Sequence, residues 1–236
     1  MTPPRMRVGI VGTRRASDIG ALLEQAGHHV TRVNDPHEVA GLEMIVLEAG
    51  AQDLDERVEA IAPFVHRCQI VAHTCIGAGA QALDAAEISG AVVIAAAPIG
   101  GDFWATDSLD ELGSTIAEMI VAECGGVSIP VPEHKRQELA AAQTHAYALK
   151  RLADDTAALT TKAVGGSLAT EIAGELATPK ELPQVGEIEE QQRSIKDPAL
   201  RRSFTQLAGR AAQLDNIPDV ELWALREALR EDSDGI

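Results

Sequence analysis

The fold is decided by the stretch Arg7-Val8-Gly9-Ile10-Val11-Gly12, a short apolar run that ends in glycine. Thr13-Arg14-Arg15-Ala16-Ser17 follows it. A helical pattern then covers residues 18–26, Gly27 closes that pattern, and a second apolar run occupies residues 30–33. The order strand, tight turn, helix, strand is that of a dinucleotide-binding βαβ unit. Because a helix N-terminus at the end of a strand carries free N–H groups, this turn is predicted to bind an anion.

The turn carries only part of the glycine pattern of dinucleotide-binding folds. Gly12 supplies the glycine that permits the tight turn. Arg14 stands where a second glycine normally lets the pyrophosphate approach the backbone, and Ser17 stands near the third. Two interpretations follow. In one, Arg14 and Arg15 bind phosphate with their side chains, beside Gly12 and Thr13. In the other, dinucleotide binding has been weakened or lost.

Asn34 and Asp35 follow the second predicted strand, and the residue that ends this strand distinguishes NAD from NADP. A carboxylate there binds the ribose hydroxyls of NAD, whereas a small or basic residue admits the 2′-phosphate of NADP. If Asn34 ends the strand, with Arg32 and Arg14 nearby, NADP is favoured. If Asp35 ends it, NAD is favoured, so the sequence leaves both cofactors open.

Charge and cysteine content limit the expected partners. The 236 residues carry a formal net charge of −16, so neither nucleic acid nor an anionic membrane surface is an expected partner. Residues 1–34 differ, with five arginines and two acidic residues, which suits a small phosphorylated ligand. No apolar run is long enough to span a membrane. The three cysteines lack metal-ligand or disulfide spacing, so we expect buried thiols, no metal and a cytoplasmic location.

Apolar runs and helical patterns alternate up to about residue 132. This alternation predicts an α/β fold with right-handed crossovers, a Rossmann-like doubly wound parallel sheet. Ser108 and Glu111 form a predicted capping box. Residues 100–104 form a predicted flexible loop, in which Trp104 either covers a ligand or packs against the first turn of the next helix. The predicted strands are 7–12, 30–33, 42–47, 69–74, 91–97 and 127–131, and the predicted helices are 18–26, 53–65, 78–89 and 114–124.

The composition becomes helical after Pro132. Apolar residues recur at steps of three and four up to Val164, which predicts one helix roughly 45 Å long. Further helices are predicted at about 198–214 and 218–231. The sequence therefore predicts two domains, a Rossmann-like NAD(P)-binding domain over 1–132 and an all-α domain over 133–236.

Several motifs occur in a recognisable order along the chain. They are Ala26-Gly27-His28-His29-Val30, Val71-Ala72-His73-Thr74 with Gly77-Ala78, Thr106-Asp107-Ser108-Leu109-Asp110, Gly125-Gly126, and Pro132-Glu133-His134-Lys135-Arg136 before the alanine-rich helix with His145. With them the chain resembles the 6-phosphogluconate dehydrogenase and β-hydroxyacid dehydrogenase superfamily. Within it, the chain is most similar to bacterial Rossmann-like proteins whose helical half is a domain of unknown function. A more distant likeness links it to prephenate dehydrogenases of the same superfamily.

The resemblance implies a hydride transfer between NAD(P) and a small oxo or hydroxy acid. Such a reaction needs an acid or base beside the nicotinamide, at the end of the fourth strand or on the long helix. His73 and Thr74 hold the first position, and His145 and Lys150 hold the second. Because His145 and Lys150 are five residues apart, they face different directions. His145 adjoins the apolar stripe and is the better candidate, while Glu48 after the third strand is expected to be solvated or to bind a substrate amine.

The chain departs from the family pattern at two positions. Members commonly have His-Pro at the end of the fifth strand, where this chain has Ala97-Pro98. They also have an asparagine on the long helix, where it has Tyr147 or Ala148. A second hypothesis is therefore a catalytically degenerate module that binds a nucleotide or metabolite in a structural or regulatory role. A third, a prephenate-type dehydrogenase, predicts binding of an aromatic diacid precursor. The resemblance also implies a homodimer through the helical half.

Overall fold

The computed structural model describes residues 5–12, 18–165, 169–176 and 182–234. The chain forms two compact units, Met1–Tyr147 and Ala148–Ile236. The long helix Glu133–Val164 contributes residues to both units. The division predicted after residue 132 stays a prediction.

The first unit is built on a seven-stranded sheet with the order β2-β1-β3-β4-β5-β6-β7. The central strands are apolar along their length because side chains on both of their faces are buried. β1 pairs with both β2 and β3, so the strand order reverses at β1, the position where doubly wound sheets bind ligands. The strands are β1 Arg7–Val11, β2 His29–Val33, β3 Met44–Leu47, β4 Ile70–His73, β5 Val92–Gly100, β6 Phe103–Ser108 and β7 Val127–Pro130.

The helices that begin in this unit are α1 Ile19–Gln25, α2 Ala51–Ile61, α3 Asp84–Glu87, α4 Glu111–Glu123 and α5 Glu133–Val164. Of these, α1, α2 and α4 pack on the two faces of the sheet and bury apolar residues. On one face, Leu54, Val58 and Ile61 of α2 recur at helical spacing and lie in the core. On the other face, α1 and α4 pack together against the sheet, for example through Leu23 and Ile120. The two layers hold the strand ends in fixed positions.

One strand of the sheet is absent from the sequence-based prediction. The chain turns at Gly100 and Gly101, both with positive φ, and β6 returns antiparallel to β5. Glycine is the residue that takes such φ values at little cost. The predicted flexible loop over residues 100–104 is wrong, because Trp104 is 4% exposed and lies in the core. The sheet is therefore mostly, and not wholly, parallel.

Two helix predictions also need correction. The predicted capping box of Ser108 and Glu111 is wrong, because Asp110 caps α4 and its Oδ1 accepts the N–H of Gly113 at 2.7 Å. The predicted helix 78–89 is a short 3₁₀ turn, Ala80–Leu83, followed by the single turn of α3.

The second unit contains the end of α5 and a group of shorter helices. Asp197 caps α8 through Oδ1, and Asn216 ends α8 in the left-handed conformation. No helix in the described ranges is long and apolar enough to cross a membrane. The helices are α6 Ala169–Leu176, α7 Val185–Ser194, α8 Pro198–Asp215 and α9 Pro218–Asp234, with a core that includes Ile188, Ala208, Ala212, Val220, Trp223 and Ala224.

The cysteines differ in exposure. Cys75 is buried, Cys124 is partly buried and Cys68 is exposed, so the expectation of three buried thiols is wrong for Cys68. Burial, with the neighbouring Glu123 carboxylate, raises the pKa of the Cys124 thiol to about 11. The cytoplasmic location expected from the cysteine content stays a prediction.

Candidate functional site

Two cavities lie at the carboxyl edge of the parallel strands, where folds of this kind bind ligands. The turn cavity, of about 310 Å³, adjoins the ends of β1 and β2 and the start of α1. The strand-end cavity, of about 260 Å³, lies beyond β3, β4 and β5 and against the first turns of α5. Glu48 lines the turn cavity and the next residue, Ala49, lines the strand-end cavity. The two cavities are therefore neighbours at the end of β3, and both belong to the first unit.

Gly12 directly follows β1 and lies beside the turn cavity. Its φ is +115°, and a Cβ atom there would overlap the backbone carbonyl oxygen of Glu48. The geometry thus requires glycine at this position. The other residues predicted to bind the cofactor phosphates, Thr13, Arg14 and Arg15, lie outside the described residues, so their role stays a prediction.

Arg32 joins the second strand to this turn. Its Nη1 donates to the carbonyl oxygen of Gly12 at 3.0 Å, and the side chain lines the turn cavity. A guanidinium has five N–H donors, so Arg32 keeps donors for a ligand. Glu48 lines the same cavity and is 4% exposed, so the expectation of a solvated carboxylate is wrong.

Asn34 and Asp35 differ in what their side chains do. β2 ends at Val33, so Asn34 follows the strand directly and is exposed. Asp35 instead caps a 3₁₀ turn, and its Oδ1 accepts the His37 N–H at 3.0 Å and contacts His37 Nδ1 at 2.7 Å. The backbone N–H of His37, followed by its ring, lowers the pKa of Asp35. Because Asp35 is held in the turn, Asn34 is the residue at the strand end, which is the arrangement that favours NADP.

His73 ends β4 with both ring nitrogens engaged. Its Nε2 donates to the carbonyl oxygen of Gly79 at 2.8 Å, and its Nδ1 accepts the N–H of Cys75 at 3.1 Å. The side chain is fully buried, and this burial lowers its pKa to about 4. The ring is therefore neutral at pH 7 and fixes the loop after β4. Its predicted catalytic role stays a prediction, and the geometry argues against it.

The strand-end cavity contains one of the four predicted catalytic residues, Thr74. His145 and Lys150 are exposed and lie outside its lining, and Lys150 belongs to the second unit. From α5 the cavity receives Gln137 and Thr144, which sequence reasoning missed although a helical stripe joins them. The full lining is Ala49, Ala51, Thr74, Cys75, Ile76, Gly77, Pro98, Gln137, Ala140, Gln143 and Thr144.

Arg136, the neighbour of Gln137, is fully buried and ties the start of α5 to the sheet. Its Nε donates to the carbonyl oxygen of Val131 at 3.1 Å, and its Nη2 donates to that of Ala105 at 3.2 Å. Burial lowers the pKa of the Arg136 guanidinium, and the nearby carboxylates of Asp107 and Glu133 oppose this shift. The described residues hold no group of three side chains suited to a metal ion.

Comparisons with known proteins agree with this architecture. Residues 132–227 match the family model of 6-phosphogluconate dehydrogenase C-terminal domain-like proteins. A putative NADP oxidoreductase from Bacteroides fragilis has a similar structure, with a TM-score of 0.64, 13% identity and coverage of 86% of this chain and 96% of that chain. Pyrroline carboxylate reductase from Plasmodium falciparum, solved with NADP bound, has a TM-score of 0.57 and 14% identity, with coverage of 94% of this chain and 96% of that chain.

A pyrroline-5-carboxylate reductase from Coxiella burnetii has a TM-score of 0.56 and 12% identity, with coverage of 98% of both chains. The comparison with curated proteins gave no match. These similarities confirm the predicted fold class, a Rossmann-like sheet followed by a helical region. The family match confirms the predicted resemblance to the 6-phosphogluconate dehydrogenase superfamily.

Proposed function

We propose that the chain is an NADP(H)-dependent oxidoreductase that transfers a hydride to or from a small molecule. The observation that carries this proposal is the adjacency of the turn cavity and the strand-end cavity along one sheet edge. A dinucleotide needs such an extended site, with its phosphates at the first βα turn. The NADP-bound pyrroline carboxylate reductase of the same fold supports it. When bound, the nicotinamide supplies the hydride.

The residues of the first unit fit this cofactor. Gly12 permits the close approach of its backbone to the carbonyl oxygen of Glu48, and it would hold the pyrophosphate together with Arg14 and Arg15. Arg32 and Asn34 would hold the 2′-phosphate, since one is a cation and the other is small and exposed. The strand-end cavity would receive the substrate, which sequence reasoning expects to be a small oxo or hydroxy acid.

Replacing Arg32 by alanine should weaken NADPH binding about tenfold or more, the size of a hydrogen bond to a charged group. NADH should be affected less, because it lacks the 2′-phosphate. Calorimetric titration gives the ratio of the NADPH and NADH dissociation constants. A general loosening of the turn would weaken both cofactors alike and leave this ratio unchanged. Arg7→Ala is the matched control, since it removes an exposed arginine that pairs with Glu43 at the start of β1. An Arg32→Ala variant that loses the same affinity for NADPH and NADH would contradict the proposal, and so would a wild-type protein that binds neither cofactor.

A catalytically degenerate binding module is the second candidate function. The observation that favours it is the ring of His73, whose two nitrogens are both occupied by the protein itself. A protein that binds NADPH yet oxidises none of it with oxo acids, hydroxy acids or imines would support this candidate.

We also propose a homodimer through the helical half. On α9, Leu222, Leu225 and Leu229 are 47%, 58% and 69% exposed and share one face of the helix. Apolar surface of this kind is typical of a protein interface. Leu225→Glu should therefore convert the dimer to a monomer in light scattering, whereas Leu112→Glu, on the exposed surface of α4, should not. A monomeric wild type would refute this proposal.

A further inference from the structure

Three residues form a row along the carboxyl edge of the sheet, each directly after a parallel strand. β1 lies between β2 and β3, and the last residues of the three strands are in register. Asn34 follows β2, Gly12 follows β1 and Glu48 follows β3. Because neighbouring strands are about 4.8 Å apart, the two outer residues of the row are separated by roughly 10 Å.

The side chain of Glu48 lies on the face of the sheet that carries α1. The N–H of Glu48 donates to the carbonyl oxygen of Val11 at 2.8 Å, so the pairing of β1 and β3 extends to this residue. Side chains alternate between the two faces along such a chain, and Val46 packs in the core layer of Ile10 and α1. Glu48, two residues further on, therefore points to the same face. There it lines the turn cavity with Ile10 and residues of α1, and it is 4% exposed.

A carboxylate in this position suits hydroxyl groups better than phosphates. The described lining of the turn cavity contains two carboxylates, Asp18 and Glu48, and one guanidinium, Arg32, which already donates to the carbonyl oxygen of Gly12. Carboxylates repel a phosphate, but they accept hydrogen bonds from the hydroxyls of a ribose. Since a carboxylate has about four acceptor sites, Glu48 can bind two hydroxyls in addition to its contacts within the protein.

We infer that Glu48 accepts hydrogen bonds from the two hydroxyls of the nicotinamide ribose. The inference rests on the proposed function, because it assigns a specificity residue to that cofactor. A dinucleotide presents ribose, pyrophosphate and ribose in the same order as the row presents Asn34, Gly12 and Glu48. In NADP the adenosine ribose carries the 2′-phosphate, so only the nicotinamide ribose has two free neighbouring hydroxyls. Ala49, the residue after Glu48, lines the strand-end cavity, which places the nicotinamide next to this ribose.

The test compares NADPH with adenosine 2′,5′-bisphosphate, which carries the 2′-phosphate but lacks the nicotinamide ribose. Both are titrated by calorimetry against the wild type and Glu48→Gln, which keeps the size of the side chain and removes its charge. NADPH binding should weaken about tenfold, the difference between hydrogen bonds to a charged and to a neutral acceptor. Binding of the bisphosphate should not change. Glu43→Gln is the matched control, because Glu43 precedes the same strand at its other end and pairs with Arg7 on the surface. It should change neither affinity.

Three results for Glu48→Gln would overturn the inference. Tighter binding of both ligands would show that the carboxylate repels the phosphates, equal weakening of both would show that it only supports the turn, and no change would show that it does not meet the cofactor. In each case the wild type still binds NADPH and the oxidoreductase proposal stands. A wild type that binds no NADPH overturns both. If the expected ratio is found but no small molecule oxidises the bound NADPH, the oxidoreductase proposal fails and the assignment of Glu48 stands.

Discussion

Replacing Gly12 by alanine should lower the free energy of unfolding by about 3 kcal/mol and abolish NADPH binding. The φ of +115° is one that residues with a Cβ rarely adopt, and the added Cβ would overlap the carbonyl oxygen of Glu48. That oxygen belongs to the backbone at the end of β3 and cannot rotate away. The clash can be relieved only by separating β1 from β3, which deforms the turn next to the turn cavity.

Urea denaturation and calorimetric NADPH titration measure the two effects of Gly12→Ala. Gly41→Ala is the matched control, because a Cβ at Gly41 meets no atom within 4 Å. Its unfolding free energy should stay within about 1 kcal/mol of the wild type. If Gly12→Ala behaves like Gly41→Ala, the close approach of the two strand ends is not the reason for glycine at this turn.

Arg136→Met should lower the free energy of unfolding by about 2–4 kcal/mol, because it removes a buried guanidinium that donates two hydrogen bonds to backbone carbonyl oxygens. Methionine fills much of the volume but donates no hydrogen bond. The carbonyl oxygens of Val131 and Ala105 would lose their donors, and the carboxylates of Asp107 and Glu133 would lose a nearby cation. Thermal and urea denaturation give the change.

Lys135→Met is the control for Arg136→Met. Lys135 is an exposed neighbour on α5 that pairs with Glu138 at 3.0 Å, and such surface pairs contribute about 0–1 kcal/mol. The double variant Arg136→Met/Asp107→Asn should recover part of the loss, because it removes one of the uncompensated carboxylates. An Arg136→Met protein as stable as Lys135→Met would show that the buried guanidinium does not hold α5 to the sheet.

The sequence predicted the elements whose patterns arise from burial. The central strands were found because continuous apolar runs follow directly from burial on both faces. α5 was found from its helical spacing, although Leu149 of the predicted stripe is 65% exposed. β6 was missed because Gly100 and Gly101 indicate a loop, whereas a hairpin uses the same residues for its turn. α7 was missed because its sequence is mainly polar, and Ile188 is its one buried apolar residue in the described part.

The candidate site was predictable only where chain order fixes position. Gly12 and Asn34 follow strand ends, so the sequence alone places them at the carboxyl edge. Which face of α5 points towards the strand ends depends on how the helix crosses the strands. Spacing along the helix therefore could not show which of His145, Gln137 and Thr144 lines the strand-end cavity. The partner of His73 is a carbonyl oxygen six residues further on, in a loop whose path no periodicity describes.

Because the three cysteine thiols differ in solvent exposure, one of them can be labelled selectively. Thiolate is the form that reacts with a maleimide. Cys124, with a pKa of about 11, stays protonated at neutral pH, Cys75 is buried, and Cys68 alone is exposed. Cys68 precedes β4 and so lies at the amino edge of the sheet, opposite the two cavities. A fluorophore attached there leaves the ligand-binding edge free, and no engineered cysteine is needed.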